Sequence, residues 1–184
     1  MTTPNDQVMH DCYDGEPGEK LAVARALFAD LAGRLAASER FAAALTELRG
    51  RSETLAAHMR AMDLGHLCTR CAAGPGGGCC SAFMAGNTDA IQILINLLLG
   101  VTVAEQADSG ENCCFLGSRG CLFPVKPIFC LNYNCSHILA GAEPGDLATL
   151  YRHAAAVLSL QTEIEAMVLA ELRGRAKAGE ALGA

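Results

Sequence analysis

At 184 residues, 51% of them hydrophobic but only 5% aromatic, the chain is long enough for one packed domain and rich in Ala and Leu, which favour helix. Fourteen Lys and Arg against twenty Asp and Glu leave a formal charge of −6, with the basic residues scattered. That excludes the clustered cationic face needed to hold a nucleic-acid backbone.

Residues 1–18 are polar and turn-rich, with Pro4, Gly15, Pro17 and Gly18, and read as a flexible arm. They lack the apolar core of a secretory signal. Cys12 stands alone there and reads as incidental. Residues 19–174 read as a single helical domain, with a frayed tail over 175–184. From Glu19, Leu21, Ala24, Phe28, Leu31 and Leu35 recur at helical spacing, as do Phe41, Leu45, Leu48, Leu55, Met59 and Met62. The two stripes change phase near Ser38, which places a helix–helix turn there. Gly65 is expected to close the second stripe.

Pro75 to Gly78 form a glycine-rich turn, after which Asn87 or Thr88 is expected to cap a helix over about 89–99, closed by Gly100. Its apolar residues lie on every side, so it reads as a central buried helix. The run Ile91 to Val103 is too short to span a bilayer and carries Gln92 and Asn96, so no membrane partner is expected. Val101 to Val103 reads as a short strand at most. An acidic loop over 105–112, including Asp108 and Glu111, leads into a proline-punctuated segment. Asp146 then caps a long amphipathic helix with Leu147, Leu150, Tyr151, Ala154, Leu158, Gln161, Ile164, Val168 and Leu172 on one stripe. The expected fold is all-α, a helical bundle with two cysteine-rich metal-binding loops. The Ala-rich stripes are also compatible with a homodimer.

Nine of ten cysteines crowd into those loops: Cys68, Cys71, Cys79 and Cys80 in one, Cys113, Cys114, Cys121, Cys130 and Cys135 in the other. Packing does not require such density; thiol reactivity toward metals and oxidants sets cysteine apart from other small hydrophobes. A cytoplasmic address is expected, and in that reducing compartment the thiols read as metal ligands rather than disulfides. Cys68-x-x-Cys71 suits zinc and iron–sulfur sites alike. Nine thiolates exceed one four-cysteine site, and adjacent pairs suit a polynuclear cluster or two smaller centres. Arg70, Arg119 and Lys126 are placed to offset the site's negative charge, with His66 and His137 flanking it.

The second block, Cys114-Phe115-Leu116, then Gly120-Cys121, Lys126-Pro127, Cys130 and Asn132-Tyr133-Asn134-Cys135, resembles the signature of the YkgJ-like CxxCxxCC proteins. The first block resembles that family's opening element at Cys68, Cys71, Cys79 and Cys80. The likeness spans about residues 66–137, under half of the chain. It implies zinc or iron chelation, and a related branch of flagellin lysine methylases is associated with an iron–sulfur cluster. Three departures stand out: Lys126 replaces the usual Arg, the gap from Cys71 to Cys79 is wide, and Cys113 is an extra thiol.

The leading expectation is an iron–sulfur protein with an accessory redox, electron-transfer or cluster-handling role, working with a redox or cluster-transfer protein partner. A zinc-binding structural or interaction module is the alternative. A metal-dependent enzyme related to the methylase branch is the third reading. No Cys-x3-Cys-x2-Cys element, P-loop or βαβ context points to catalysis.

Overall fold

A computed structural model describes residues 4–72, 78–103, 112–117, 120–132 and 135–178. In chain order these form α1 (Pro4–Tyr13), α2 (Pro17–Ala37), α3 (Glu39–Ala61), α4 (Leu64–Ala72), α5 (Ala82–Gly86) and α6 (Ala90–Leu98). A hairpin of β1 (Leu116–Gly117) and β2 (Gly120–Cys121) follows, then α7 (Ile128–Asn132), α8 (Ser136–Gly141) and α9 (Pro144–Ala178). The described residues are thus mostly helical, as expected. The acidic loop, the turn at Pro75 to Gly77, Arg119, Tyr133, Asn134 and residues 179–184 lie outside them.

Helix α3 packs along α9, α2 against α6, and α1 across both α2 and α9. The turn expected near Ser38 is present: its backbone ends α2 and its Oγ accepts the Phe41 amide of α3 at 3.4 Å. On α2 the buried stripe is Leu21, Ala24, Leu27, Leu31 and Leu35. Leu27 therefore takes the place expected for Phe28, which faces water. In α3, Phe41, Leu48 and Leu55 are buried as expected, while Leu45, Met59 and Met62 pack at the edge of the core. The break after α3 falls at Asp63 rather than Gly65. Asp63 adopts a left-handed φ of 55°, and Gly65 lies inside α4.

Residues Ala90 to Asn96 of α6 are all buried, making it the central helix. Its cap is Asp89, not Asn87 or Thr88: a carboxylate oxygen accepts the Gln92 amide at 2.7 Å. Gly100, at φ +87°, ends it in the left-handed region that disfavours side chains. Val101 to Val103 form no strand.

The expected N-terminal arm is instead helical over Pro4–Tyr13. Val8 and Cys12, four residues apart, insert one apolar face into the core, and the Tyr13 hydroxyl donates to Glu165 of α9. Ten residues alone make a marginal helix, so this packing supplies what the local sequence lacks. Helix α9 begins two residues before Asp146, and it continues past Gly174 because Arg175 pairs with Asp30 of α2. Its buried strip adds Val157 and Leu160 to the expected set, leaves Leu147 and Leu158 half-buried and Tyr151 exposed, and faces contacts from both α3 and α1. Among the described residues, no helix is long and apolar enough to cross a membrane.

Candidate metal-binding site

The cysteines are divided between short elements and loops. Cys68 and Cys71 lie on α4, three residues apart and therefore on one face. Cys121 is in β2, Cys130 is in α7, and Cys135 is the residue that opens α8. Cys79, Cys80, Cys113 and Cys114 occupy irregular backbone, as does Cys135, the extended residue that caps α8.

Tertiary contacts bring the two blocks to one end of the bundle. The Cys113 amide donates to the Cys80 carbonyl at 3.0 Å, beside an antiparallel bridge between Ser81 and Asn112. Helix α4 touches both α8 and β2, carrying Cys68 and Cys71 toward Cys135 and Cys121. In the hairpin Cys121 pairs with Leu116, and Gly120 supplies the positive φ of the turn. Beneath it Phe115 and Phe123 stack at 4.6 Å, both buried.

Helix α6 holds the second block in register. Asn96 donates to the Val125 carbonyl at 2.9 Å and accepts the Val125 amide at 3.1 Å, while Gln92 donates to the same carbonyl at 2.6 Å. Gln161 of α9 in turn donates to the Gln92 side chain. A loop between two prolines cannot supply regular backbone pairing, so these buried amides satisfy Val125 instead. Lys20, buried on α2, likewise donates to the Gly86 carbonyl at 2.7 Å and fixes the end of α5 behind the first block. Sequence reading missed these supports. The available signal was Gln92 and Asn96, four residues apart and polar within an otherwise apolar helix.

All nine thiols from Cys68 to Cys135 join one Coulombic neighbourhood. Cys68 lies within reach of Cys79, Cys135 and Cys71, and burial raises its pKa against the opposing field of Lys126. Cys130 lies within reach of Cys121, Cys113 and Cys79. Cys113 is pushed up to about 11 by burial and feels Cys114 and Cys121. Cys79 moves the other way, to about 6, because the Cys80 thiol donates to its sulfur. The same hydrogen bond keeps Cys80 protonated. Among the described residues, no three His, Cys, Asp or Glu side chains converge at metal-holding distances.

Of the expected flanking groups, Lys126 is the cation whose field reaches the thiols. Arg70, His66 and His137 are exposed. Cys12 is remote from the site. It is fully buried, and its thiol is pushed up to about 12 by that burial and by Asp11, Asp89 and Glu165.

The surroundings are chemically selective. Residues 64–88 and 112–142 contain no Asp or Glu, although the chain has twenty. A carboxylate within either stretch would oppose thiolate formation and add a hard oxygen donor, so the donors these stretches themselves supply suit soft metals. The donor chemistry therefore fits zinc or an iron–sulfur cluster.

Thiol reactivity in reduced, metal-free protein provides a direct check. Cys79 is expected to be alkylated first, its rate rising through a midpoint of about pH 6 and levelling at higher pH once its thiolate is filled. Cys12 is expected to stay unmodified until the protein unfolds. Pulsed alkylation with peptide mass spectrometry reads both, and fast native labelling of Cys12 would contradict the buried position of α1.

Comparison with protein-family models, with curated proteins and with solved structures finds no match to this chain.

Proposed function

We propose that this protein holds an iron–sulfur cluster on the thiols between Cys68 and Cys135 and serves an accessory redox, electron-transfer or cluster-handling role. The observation that carries this reading is the contact between the two cysteine blocks, which lie on either side of a central helix in the chain: the Cys113 amide bonds the Cys80 carbonyl, and α4 meets β2 and α8. Thiolate-only donors suit iron–sulfur clusters, and nine of them exceed a single zinc site. The motif likeness to the YkgJ-like proteins supports iron or zinc chelation and rests on the quoted residues alone.

When bound, such a cluster supplies one-electron transfer. This chain's own part is to hold thiolates and to offset charge through Lys126. A redox or cluster-transfer protein, in the cytoplasm, is the partner this role calls for.

Protein purified without oxygen is expected to be brown, with iron and acid-labile sulfide in comparable amounts. Colourless protein loaded with zinc would replace this reading by the structural zinc module. Activity toward a methyl acceptor would support the enzyme reading.

A further inference from the structure

We infer that Cys80 and Cys113 form a redox pair: in the reduced, metal-free protein, peroxide joins them in a disulfide that ties the two cysteine blocks together. The pair rests on backbone geometry and goes beyond the metal reading above.

The two residues face each other across paired backbone. Ser81 and Asn112 form an antiparallel bridge, and one step along it the Cys113 amide donates to the Cys80 carbonyl at 3.0 Å. Residues opposed in this way have α-carbons about 4.5–5.5 Å apart. A disulfide spans about 4.4–6.8 Å between α-carbons, so the bond can close without moving either segment far. Both thiols are half-buried, within reach of a small oxidant, whereas Cys12 is sealed at 0% exposure.

The neighbouring thiols fit less well. Cys79 with Cys80, and Cys113 with Cys114, are consecutive, and a trans peptide holds their α-carbons about 3.8 Å apart, too close for an unstrained bridge. Cys79 and Cys114 do not oppose one another, because the Leu116 amide donates to the Cys113 carbonyl at 2.9 Å and the chain turns there. Cys68 and Cys71 share one face of α4, but β-carbons one helical turn apart are separated by about 5–6 Å. Closing them to the ~3.5–4.5 Å of a disulfide would distort the helix. Cys80 and Cys113 start nearer, at about 4.5–5.5 Å, and lie on irregular backbone that can give.

The chemistry balances with hydrogen peroxide as the oxidant. One thiolate attacks the peroxide, breaks its O–O bond and becomes a sulfenic acid, and the departing oxygen leaves as water. The opposite thiolate attacks that sulfur, forms the S–S bond and displaces the second oxygen as a second water. Two thiols lose two electrons, one peroxide gains them, and the two thiol protons leave in the waters. The disulfide closes a loop that holds α5 and α6, whose packing it need not disturb, and withdraws two of the nine thiols from metal binding. In a reducing compartment such a bond is transient, which suits a redox sensor rather than a permanent staple.

To test the pair, reduced, metal-free full-length protein is treated with a single equivalent of hydrogen peroxide, its remaining thiols are blocked by alkylation, and its disulfides are mapped by mass spectrometry. No Lys or Arg lies between Arg70 and Arg119, so chymotryptic cleavage at Phe83 and Glu-specific cleavage at Glu111 put Cys80 and Cys113 on separate peptides. Wild-type protein is expected to give one dominant cross-link between those peptides, removed by dithiothreitol. Cys80→Ser and Cys113→Ser should each lower its yield about tenfold or more, while Cys79→Ser and Cys114→Ser keep it. Circular dichroism of each variant separates loss of the partner thiol from loss of the fold, and the wild-type cross-link does not depend on any variant folding. A dominant Cys68–Cys71 bond, sulfinic acid without a disulfide, or a cross-link that survives Cys113→Ser would overturn the pair. None of these outcomes bears on the metal reading, which the iron and sulfide content of protein purified without oxygen decides separately.

Discussion

Replacing Asn96 by leucine is expected to destabilise the protein by about 1–6 kcal/mol. Leucine matches asparagine in length but cannot hydrogen-bond, so the Val125 amide loses its partner and the Val125 carbonyl keeps only Gln92. Asn96 is 0% exposed, so water cannot replace the lost bonds without opening the core. An orphaned buried polar group costs about 1–3 kcal/mol, and the range above spans one to two such groups. Typical domains are stable by only about 5–15 kcal/mol, which makes this a large fraction. Denaturant unfolding followed by circular dichroism measures it. A loss below about 0.5 kcal/mol, the scale of an ordinary surface substitution, would mean that α6 does not hold the Val125 segment through Asn96. Because that segment carries Lys126 and leads into Cys130, the same variant should also retain less metal.

Stripping metal with a chelator is the second large expected effect, and it should be local. In a zinc finger the metal supplies most of the folding free energy, so the stripped domain unfolds. Here α2, α3, α6 and α9 bury Leu27, Leu31, Leu48, Ile91, Ile93, Leu94, Ile164 and Leu172 against one another. Each such side chain contributes about 1.5–3 kcal/mol when fully buried, and none depends on a cysteine. Far-UV circular dichroism should therefore keep most of its helical signal after chelation. Around the thiols, packing is thinner: α5, α7 and α8 are five or six residues long, and the hairpin strands have two residues each. Protease cleavage between residues 66 and 137 should accelerate by about tenfold or more, because local opening governs such cleavage. Global loss of helix on chelation would show that metal binding and bundle folding are one event.

The two effects concern the same boundary. The bundle folds on apolar burial, while the cysteine end is held to it by a few buried polar contacts, chiefly Asn96 and Gln92 to Val125 and Lys20 to Gly86. Such contacts are worth little on average but much when one partner is removed.

Much of the bundle was legible from periodicity. Stripes at three- and four-residue spacing marked α2, α3 and α9, and an apolar run on all faces marked α6. The errors share a cause. Phe28 and Tyr151 were placed inward by spacing alone, yet which of two neighbouring stripe positions is buried depends on the angle at which the partner helix crosses. Helix α1 was read as an arm because its composition is polar; only Val8 and Cys12 make it a helix, and only by docking. The cysteines were legible as a group. That Cys68 and Cys71 lie on α4, Cys121 on β2 and Cys130 on α7, while the other five stay on irregular backbone, was not legible, because short elements lack a periodic signature.

By itself the sequence determined a mostly helical chain with a central apolar helix and nine thiols in two blocks. These are properties of residue type and spacing, which need no knowledge of distant neighbours. Only the tertiary structure decided that Cys12 is sealed in the core, that Cys80 faces Cys113, and that Asn96 grips Val125. Each of these relations joins residues far apart in the chain, and packing of α6 against its neighbours, rather than local preference, brings them together.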